Sequence, residues 1–242
     1  ARVVAAARGR KVIDFGARRM HGIDAANKAA RAFHIAGVDA TSNILAGRYF
    51  GIPVSGTMAH SYVQSHNGEK AAFEAFARTF PGTVVLIDTY DTLRATQSVI
   101  ELATRKHDPP AIAAVRIDSG YLLALSKDVR KMLDEAGLPG IQIFASGGLD
   151  EYEIDRLASA GAPIDGFGVG TNMGVSADAP ALDIAYKLTE YDGHGRMKLS
   201  AGKVTLPGRK QVFRSPGGDV IARRVERLEG HPLLTCVMRD GR

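Results

Sequence analysis

His60 closes the run Ile52-Pro53-Val54-Ser55-Gly56-Thr57-Met58-Ala59-His60, where a short β-favouring stretch turns at Gly56-Thr57 into a segment of helical character. An imidazole placed there, beside Thr57 at a strand's carboxyl end, suits a nucleophile or an acid–base group. Four more segments share the outline: Val12 to Arg18, Val84 to Thr89, Ala114 to Gly120 and Ile143 to Gly148. Side chains from five strand ends then converge on one mouth, the usual seat of chemistry in parallel α/β folds. A lone histidine is more often structural, and His21, His34 and His66 have no comparable context.

Arg116, Asp118 and Ser119 follow one another across a strand end, and the two-residue period points Arg116 and Asp118 to the same side. Such a pair holds a carboxylate or pyrophosphate while the acid faces a ribose hydroxyl or a developing positive charge. An internal salt bridge is the plainer alternative. Asp88 and Asp91, flanking Thr89-Tyr90, suit hydroxyls or magnesium, although Asp91 equally fits a helix cap. Phe15 and Arg18 can clamp a planar ring by stacking and by charge, against the bland reading of a core Phe and a surface Arg. Ser146-Gly147-Gly148 and Gly168-Val169-Gly170-Thr171 end successive late strands, where close backbone approach and free amides can cup a phosphate. No histidine or cysteine pair has zinc spacing, and Gly56-Thr57-Met58-Ala59-His60 lacks the ending of a P-loop.

The elements that must position these groups read as strands at 11–15, 36–41, 52–56, 83–88, 112–117, 141–145 and 164–169. Helices are expected at about 24–35, 42–50, 58–79, 91–105, 122–136, 150–160 and 179–190, after a helix end within 1–8. Val129, Met132, Leu133 and Ala136 fall on one helical face before Gly137, and Asp150 can cap the amide of Glu153 with Leu149 packed on Ile154. Strict alternation predicts an α/β fold, an open or irregular seven-stranded parallel α/β barrel over 1–190. A doubly wound open sheet is the competing architecture. From 191 to 242 glycine, lysine and arginine alternate with Val, Leu and Phe, which predicts a β-rich carboxyl-terminal appendage.

With 242 residues, 45% of them hydrophobic, the chain can bury one sizeable core and is not a disordered or fibrous protein. Its single cysteine, Cys236, forms no internal disulfide, and no apolar run approaches the roughly 18 residues of a membrane span. A cytoplasmic setting without membrane association is the expectation. A net charge of +5 suits anionic small molecules and is weak evidence for nucleic acid, so no nucleic-acid partner is expected. The first residue is not Met, and the chain is read as a fragment or processed piece.

The runs, in order, resemble the nicotinate phosphoribosyltransferases, members of the type II phosphoribosyltransferases. The resemblance rests on Asp14-Phe15-Gly16-Ala17-Arg18-Arg19, Thr41-Ser42-Asn43 with Ala46-Gly47, and Gly56-Thr57-Met58-Ala59-His60-Ser61. It continues through Asp88-Thr89-Tyr90-Asp91-Thr92-Leu93, Arg116-Ile117-Asp118-Ser119-Gly120, Ser146-Gly147-Gly148, Gly168-Val169-Gly170-Thr171-Asn172, Lys198-Leu199-Ser200, Gly202-Lys203 and Pro207-Gly208-Arg209-Lys210. It implies an enzyme of NAD salvage that joins nicotinate to phosphoribosyl pyrophosphate, coupled to ATP hydrolysis through a phosphohistidine and requiring Mg2+, in a homodimer. Under it His60 and Asp118 are catalytic, and Phe15, Arg18, Asn43, Thr57 and Arg116 are nicotinate contacts. Arg116, Ser119, Ser146, Gly147, Gly148, Gly170 and Thr171 meet the phosphoribosyl donor, with Lys203, Arg209 and Lys210 as further candidates at its pyrophosphate. The metal ligands stay unassigned apart from Asp88.

Asn43 falls where nicotinamide-using relatives carry an aspartate, and an amide donates to the carboxylate that an aspartate would repel. Tyr121 departs from the family's run, which continues with another aspartate. The amino-terminal region that pairs with 191–242 in the family is absent, so the segment reads as part of a second domain and the chain alone is expected to turn over poorly. The alternatives are a nicotinamide- or quinolinate-using enzyme, or a non-catalytic phosphometabolite-binding barrel fragment.

Overall fold

Alternate residues of each central strand pack on opposite faces, and this alternation divides the apolar interior into a large and a small cluster. In the computed structural model, which describes residues 1–176, 178 and 185–242, six parallel strands form one sheet in the order β2-β1-β6-β5-β4-β3. They are β1 (Lys11–Asp14), β2 (Ala40–Thr41), β3 (Thr83–Leu86), β4 (Ile112–Ile117), β5 (Gln142–Ser146) and β6 (Gly166–Val169). Val12, Val85, Val115, Ile117, Ile143, Ala145 and Phe167 join helix residues in the large cluster. Ile13, Ala40, Ala114 and Phe144, with Phe15 and Val84 against them, form the small cluster on the opposite, concave face.

The α-helices are α1 (Arg2–Ala6), α2 (Ile23–Ile35), α3 (Ile44–Phe50), α4 (His60–Gln64), α5 (Glu69–Thr79), α6 (Thr92–Ala103), α7 (Leu122–Glu135), α8 (Glu151–Ser159) and the short α9 (Thr171–Gly174), and all but α3 put residues against the large cluster. Asp150 caps α8 as its sequence predicts, accepting from Tyr152 N at 3.1 Å and Glu153 N at 2.8 Å, while Leu149 and Ile154 are buried together. Asp91 caps α6 through Arg94 N at 2.9 Å, so its carboxylate is spent on the helix.

The sheet has six strands and not seven. The expected strand at 52–56 makes one parallel bridge, Val54 to Thr41, supported by Thr41 N to Pro53 O at 3.0 Å and Ser55 N to Thr41 O at 3.1 Å. Pro53 carries no N–H, so the segment cannot extend a ladder on both sides. It still fills the gap between the sheet's edges: beyond its β2 contacts, Thr57 Oγ1 donates to Val84 O of β3 at 2.7 Å. The result is a curled sheet, an open barrel whose rim this segment spans.

Other boundaries also moved. The expected strand at 36–41 shrinks to Ala40–Thr41, because Ala36 caps α2 and Gly37 turns the chain at positive φ. The helix expected at 58–79 is two helices, interrupted before Gly68 at φ 113°. Of the helix expected at 179–190, residues 179–184 lie outside the described residues and 185–189 are not helical. Beyond them β7 (Glu190–Tyr191) pairs with β8 (His194–Gly195), and β9 (Lys210–Ser215), β10 (Gly218–Arg223) and β11 (His231–Pro232) form an antiparallel sheet, as the change in texture predicted. Among the described residues no helix is long and apolar enough to cross a membrane.

Glycines of β6 make room on the concave face. A Cβ on Gly166 would overlap the Phe144 ring, and one on Gly168 would overlap the Phe15 ring. Gly168→Ala is therefore expected to destabilise the fold by about 1–3 kcal/mol through overpacking, read from thermal or urea denaturation.

Candidate active site

β4 sends Arg116 and Asp118 to the same side of the sheet, and their pairing is direct but long, Nη1 to Oδ1 at 3.3 Å. Ser146, at the end of β5, closes the gap: its hydroxyl accepts from Arg116 Nη1 at 2.8 Å and donates to Asp118 Oδ1 at 2.7 Å. Arg116 Nη2 donates to Met58 O at 2.9 Å, which ties the guanidinium to the chain just before His60. Its Cζ lies 5.7 Å from the Phe15 ring centroid, while the buried Nε has no hydrogen-bond partner. The plainer reading of the Arg116–Asp118 pair, an internal ion pair, is what the side chains form, and it stands at a strand-end mouth.

His60 begins α4 and faces the same carboxylate. Nε2 lies 3.6 Å from Asp118 Oδ2 and 3.8 Å from Asp88 Oδ1, and Nδ1 sits 3.1 Å from Thr89 Oγ1. Asp88 follows β3, is buried, and accepts a short hydrogen bond from Ser119 Oγ on Oδ2. His60 Nε2 and Asp88 Oδ1 are buried without hydrogen-bond partners. Together with Asp118 they place ligand atoms within 4.8 Å of one another. The carboxylates fit magnesium, an oxygen-seeking ion that keeps its waters, whereas an imidazole is a poor ligand for it. Asp88 and Asp118 are thus the fitting pair, and His60 keeps its nitrogen for other chemistry.

The segment after β8 supplies cations from far along the chain. Lys203 Nζ donates to Asp118 O at 2.6 Å and to Oδ2 at 2.9 Å. Leu199 N bonds Thr89 O at 3.0 Å, and Ser200 Oγ donates to Asp88 O, so this turn is pinned to the backbone beside His60. Lys198 is buried, and burial pushes its ammonium down to about 8 against the pull of Asp88 and Asp118. Burial alone would raise Asp118, but His60, Arg116 and Lys203 hold its carboxyl far below the usual range. Burial lowers Arg116, with Asp118 and Asp88 opposing it.

The late glycine turns stand at this mouth. Gly147 is at φ 96° and Gly148 at φ 69°, and a Cβ on Gly147 would run into Asp118 O and lie 3.2 Å from Lys203 Nζ. A Cβ on Gly170 would meet Phe15 O at 3.0 Å. Asn172 Nδ2 donates to Gly148 O at 2.8 Å and clasps one turn to the other. The α8 amides are occupied by Asp150, so a phosphate here would meet the turns and Thr171, not that helix end.

The sequence-expected nicotinate contacts divide. Phe15 and Arg116 share the concave face, with Thr57 on its rim bonded to β3. Arg18 and Asn43 instead line an adjoining cleft of about 440 Å3. Thr89, Lys198 and Ser200 were given no role by sequence reasoning; their only signal was membership of the matched runs.

Because Asp118 titrates below its unfolded value, its stabilisation is present above the usual carboxylate range and is lost as pH falls through it. Asp118→Asn is expected to flatten the acid limb of the stability–pH curve below about pH 4, read by thermal denaturation across pH.

Comparison with known proteins agrees with this geometry. Residues 10–205 match the model of the nicotinate phosphoribosyltransferase (NAPRTase) family. The chain is 59% identical over 247 residues to nicotinate phosphoribosyltransferase pncB2 of Mycobacterium tuberculosis, covering 100% of this chain and 53% of that protein. It is 47% identical over 209 residues to nicotinate phosphoribosyltransferase of Bacillus subtilis, covering 84% of this chain and 43% of that one. Among solved structures, nicotinate-nucleotide pyrophosphorylase from Pyrococcus furiosus matches with TM-score 0.62 and 27% identity, over 99% of this chain and 62% of that chain. Human nicotinic acid phosphoribosyltransferase matches with TM-score 0.60 and 26% identity, over 94% of this chain and 55% of that chain. The chain spans about half the length of the curated relatives it matches. With the family model covering most of its residues and the mouth built from the motifs that carry the resemblance, the chain belongs to the nicotinate phosphoribosyltransferase family.

Proposed function

We propose that this chain carries the core of an enzyme that transfers a phosphoribosyl group from phosphoribosyl pyrophosphate to nicotinate, releasing pyrophosphate and forming nicotinate mononucleotide for NAD salvage. The observation that carries the reading is the convergence of His60, Asp88, Arg116 and Asp118 beside the Gly147 turn, with Ser146 bonded to both members of the ion pair.

In this reading the pyridine ring lies beside Phe15 and Arg116 on the concave face, with Thr57 on its rim and Arg18 and Asn43 in the adjoining cleft. The 5-phosphate takes the amides of Gly147, Gly148, Gly170 and Thr171, and Ser119 lies on the donor's ribose side. Substitution at the anomeric carbon is dissociative: pyrophosphate leaves as an oxocarbenium-like centre forms, and the pyridine nitrogen attacks the opposite face. Asp118 stabilises the ribosyl cation, while Arg116, Lys198 and Lys203 stabilise the departing pyrophosphate. Arg209 pairs with Glu190 at 3.1 Å and the Lys210 ammonium bonds the carbonyls of Leu206 and Gly208, so neither is assigned this role. Magnesium, held by Asp88 and Asp118, would neutralise charge on the leaving oxygens when bound.

ATP coupling enters through His60. Its Nε2, which makes no hydrogen bond and faces Asp88 and Asp118, is the nucleophile of this reading: it takes the γ-phosphoryl of ATP as ADP leaves, and the added negative charge changes how Lys203 and Lys198 are shared between those acids and the donor. The family resemblance adds a homodimer and a cytoplasmic setting. His60→Ala is expected to abolish ATP-dependent phosphohistidine labelling and the ATP stimulation of product formation. Absence of label on the unaltered protein, or faster product from nicotinamide or quinolinate than from nicotinate, would refute the reading.

Lys198 gives a pH test. An anion bound beside it favours the protonated form, so pyrophosphate binding should draw in a proton above about pH 8. Calorimetry in buffers of differing ionisation enthalpy should detect this uptake, and Lys198→Met should remove it.

A further inference from the structure

Met20 is wedged between the turn after β1 and the helix α9. Its backbone is fixed on both sides: Met20 N bonds Ala17 O at 3.4 Å, closing the 3-10 turn Ala17–Arg19, and Gly22 N bonds Met20 O at 2.9 Å. From there the side chain runs between two glycines. A Cβ on Gly174 would lie 1.8 Å from Met20 Cε and 2.5 Å from Sδ, and one on Gly16 would lie 2.4 Å from the same methyl. Phe33 closes the far side, its Cζ 3.2 Å from the same point on Gly174. The thioether fills the space that two missing side chains leave, and close packing gives it no slack.

The backbones it separates support the late glycine turns. A Cβ on Gly16 would lie 3.2 Å from Gly170 O, and one on Gly170 would lie 3.0 Å from Phe15 O. Asn172 of α9 donates to Gly148 O at 2.8 Å, so a shift of α9 reaches both turns. Met20 is only partly buried and lines the open cleft of about 440 Å3, where a small reagent can meet it. A methionine that is both a packed wedge and open to solvent is a chemical weak point, because the sulfoxide adds an oxygen and a strong dipole to an apolar contact.

We propose that Met20 is an oxidation site that controls the seat of α9: a peroxide converts the thioether to the sulfoxide, and the larger, polar group pushes α9 away from the Gly16 turn. The sulfur lone pair attacks one oxygen of hydrogen peroxide, and the S–O bond forms as the O–O bond breaks. The departing hydroxide takes the proton of the transferred oxygen and leaves as water. Sulfur loses two electrons and the peroxide gains them. The consequence for substrate rests on the proposed role of Gly170 and Thr171 at the donor's 5-phosphate, whereas the oxidation and the movement of α9 do not.

The test treats the protein with graded hydrogen peroxide and maps sulfoxide on its six methionines by mass spectrometry. Amide hydrogen exchange over 169–175 and the calorimetric affinity for phosphoribosyl pyrophosphate are followed alongside. Met197 and Met238 are exposed and mark the progress of the treatment. As Met20 sulfoxide accumulates, exchange in α9 should quicken and donor affinity should fall about tenfold, the scale of one overpacked contact. Met20→Leu, close in volume and inert to peroxide, should keep both after the same treatment. Methionine sulfoxide reductase should restore both in the unaltered protein, an arm that decides the matter if the leucine variant loses its fold. The proposal is overturned by Met20 staying reduced once Met197 and Met238 are consumed, or by exchange or affinity unchanged when Met20 is oxidised. Equal losses in Met20→Leu would overturn it too, and would point to Met173 within α9. Faster exchange in α9, with no binding of phosphoribosyl pyrophosphate even before treatment, would uphold the oxidation site and remove the donor reading of these turns.

Discussion

The mouth of the sheet depends on neutralising the carboxylate of Asp118. A part-buried anion is costly unless its oxygens are paired, and here the partners come from separate regions: Arg116 from the same strand, Ser146 from the next, Lys203 from beyond the sheet and His60 from the start of α4. Lys203 reaches it only because Gly147 has no Cβ; a side chain there would collide with the Asp118 carbonyl that Lys203 also binds. The charge requirement and the glycine turn are therefore one constraint. It also explains why the 198–203 turn must be pinned to Asp88 and Thr89: an ammonium on a loose loop would not hold the carboxylate.

A second constraint operates on the concave face, where size is matched across neighbouring strands. Phe144 lies over Gly166 and Phe15 over Gly168, so aromatic mass enters the barrel without spreading the strands. Phe15 then lies beneath Arg116, whose remaining nitrogens are drawn to Ser146 and Met58. The ring and the cation are held from opposite sides by different elements, the preorganisation that a flat charged ligand needs.

Much of this was legible in the sequence, and the exceptions have physical causes. Period-two alternation placed Arg116 and Asp118 together, and Asp150 announced its cap correctly, because both are local properties. The stretch 52–56 looked like a strand from its β-branched residues, yet Pro53 removed the donor a central strand requires, and the segment became a rim instead. Gly68 breaks the helical pattern of 58–79 at a positive φ that side-chain periodicity does not reveal. The packing of Gly166 against Phe144 and of Gly168 against Phe15 had no sequence signal, since a ring from a distant part of the chain cannot be seen locally. The roles of Lys198 and Ser200, seen in the sequence only as members of a matched run, were hidden for the same reason: Asp88 and Thr89 lie more than a hundred positions away, and only the fold brings them together. Asn43 stands out in the sequence for its ligand chemistry, whereas in the fold its oxygen caps α3 by accepting from Ala46 N at 3.1 Å and its amide donates to Asn27 Oδ1 at 2.9 Å.

The balance of charge at the mouth bears directly on the proposed reaction. A dissociative transfer creates a cation at the sugar and an anion at the leaving group within a few ångströms, so a site of one sign would stabilise one and oppose the other. Here Asp88 and Asp118 are interleaved with Arg116, Lys198 and Lys203: Arg116 and Lys203 bond Asp118, and Lys198 feels the charge of both acids. In the proposed reaction an entering pyrophosphate group would compete for those cations and leave Asp118 less compensated as positive charge develops on the ribose. The same displacement strengthens both interactions at the moment they are required, and a proton gained by Lys198 would supply the remaining charge without any further residue having to move.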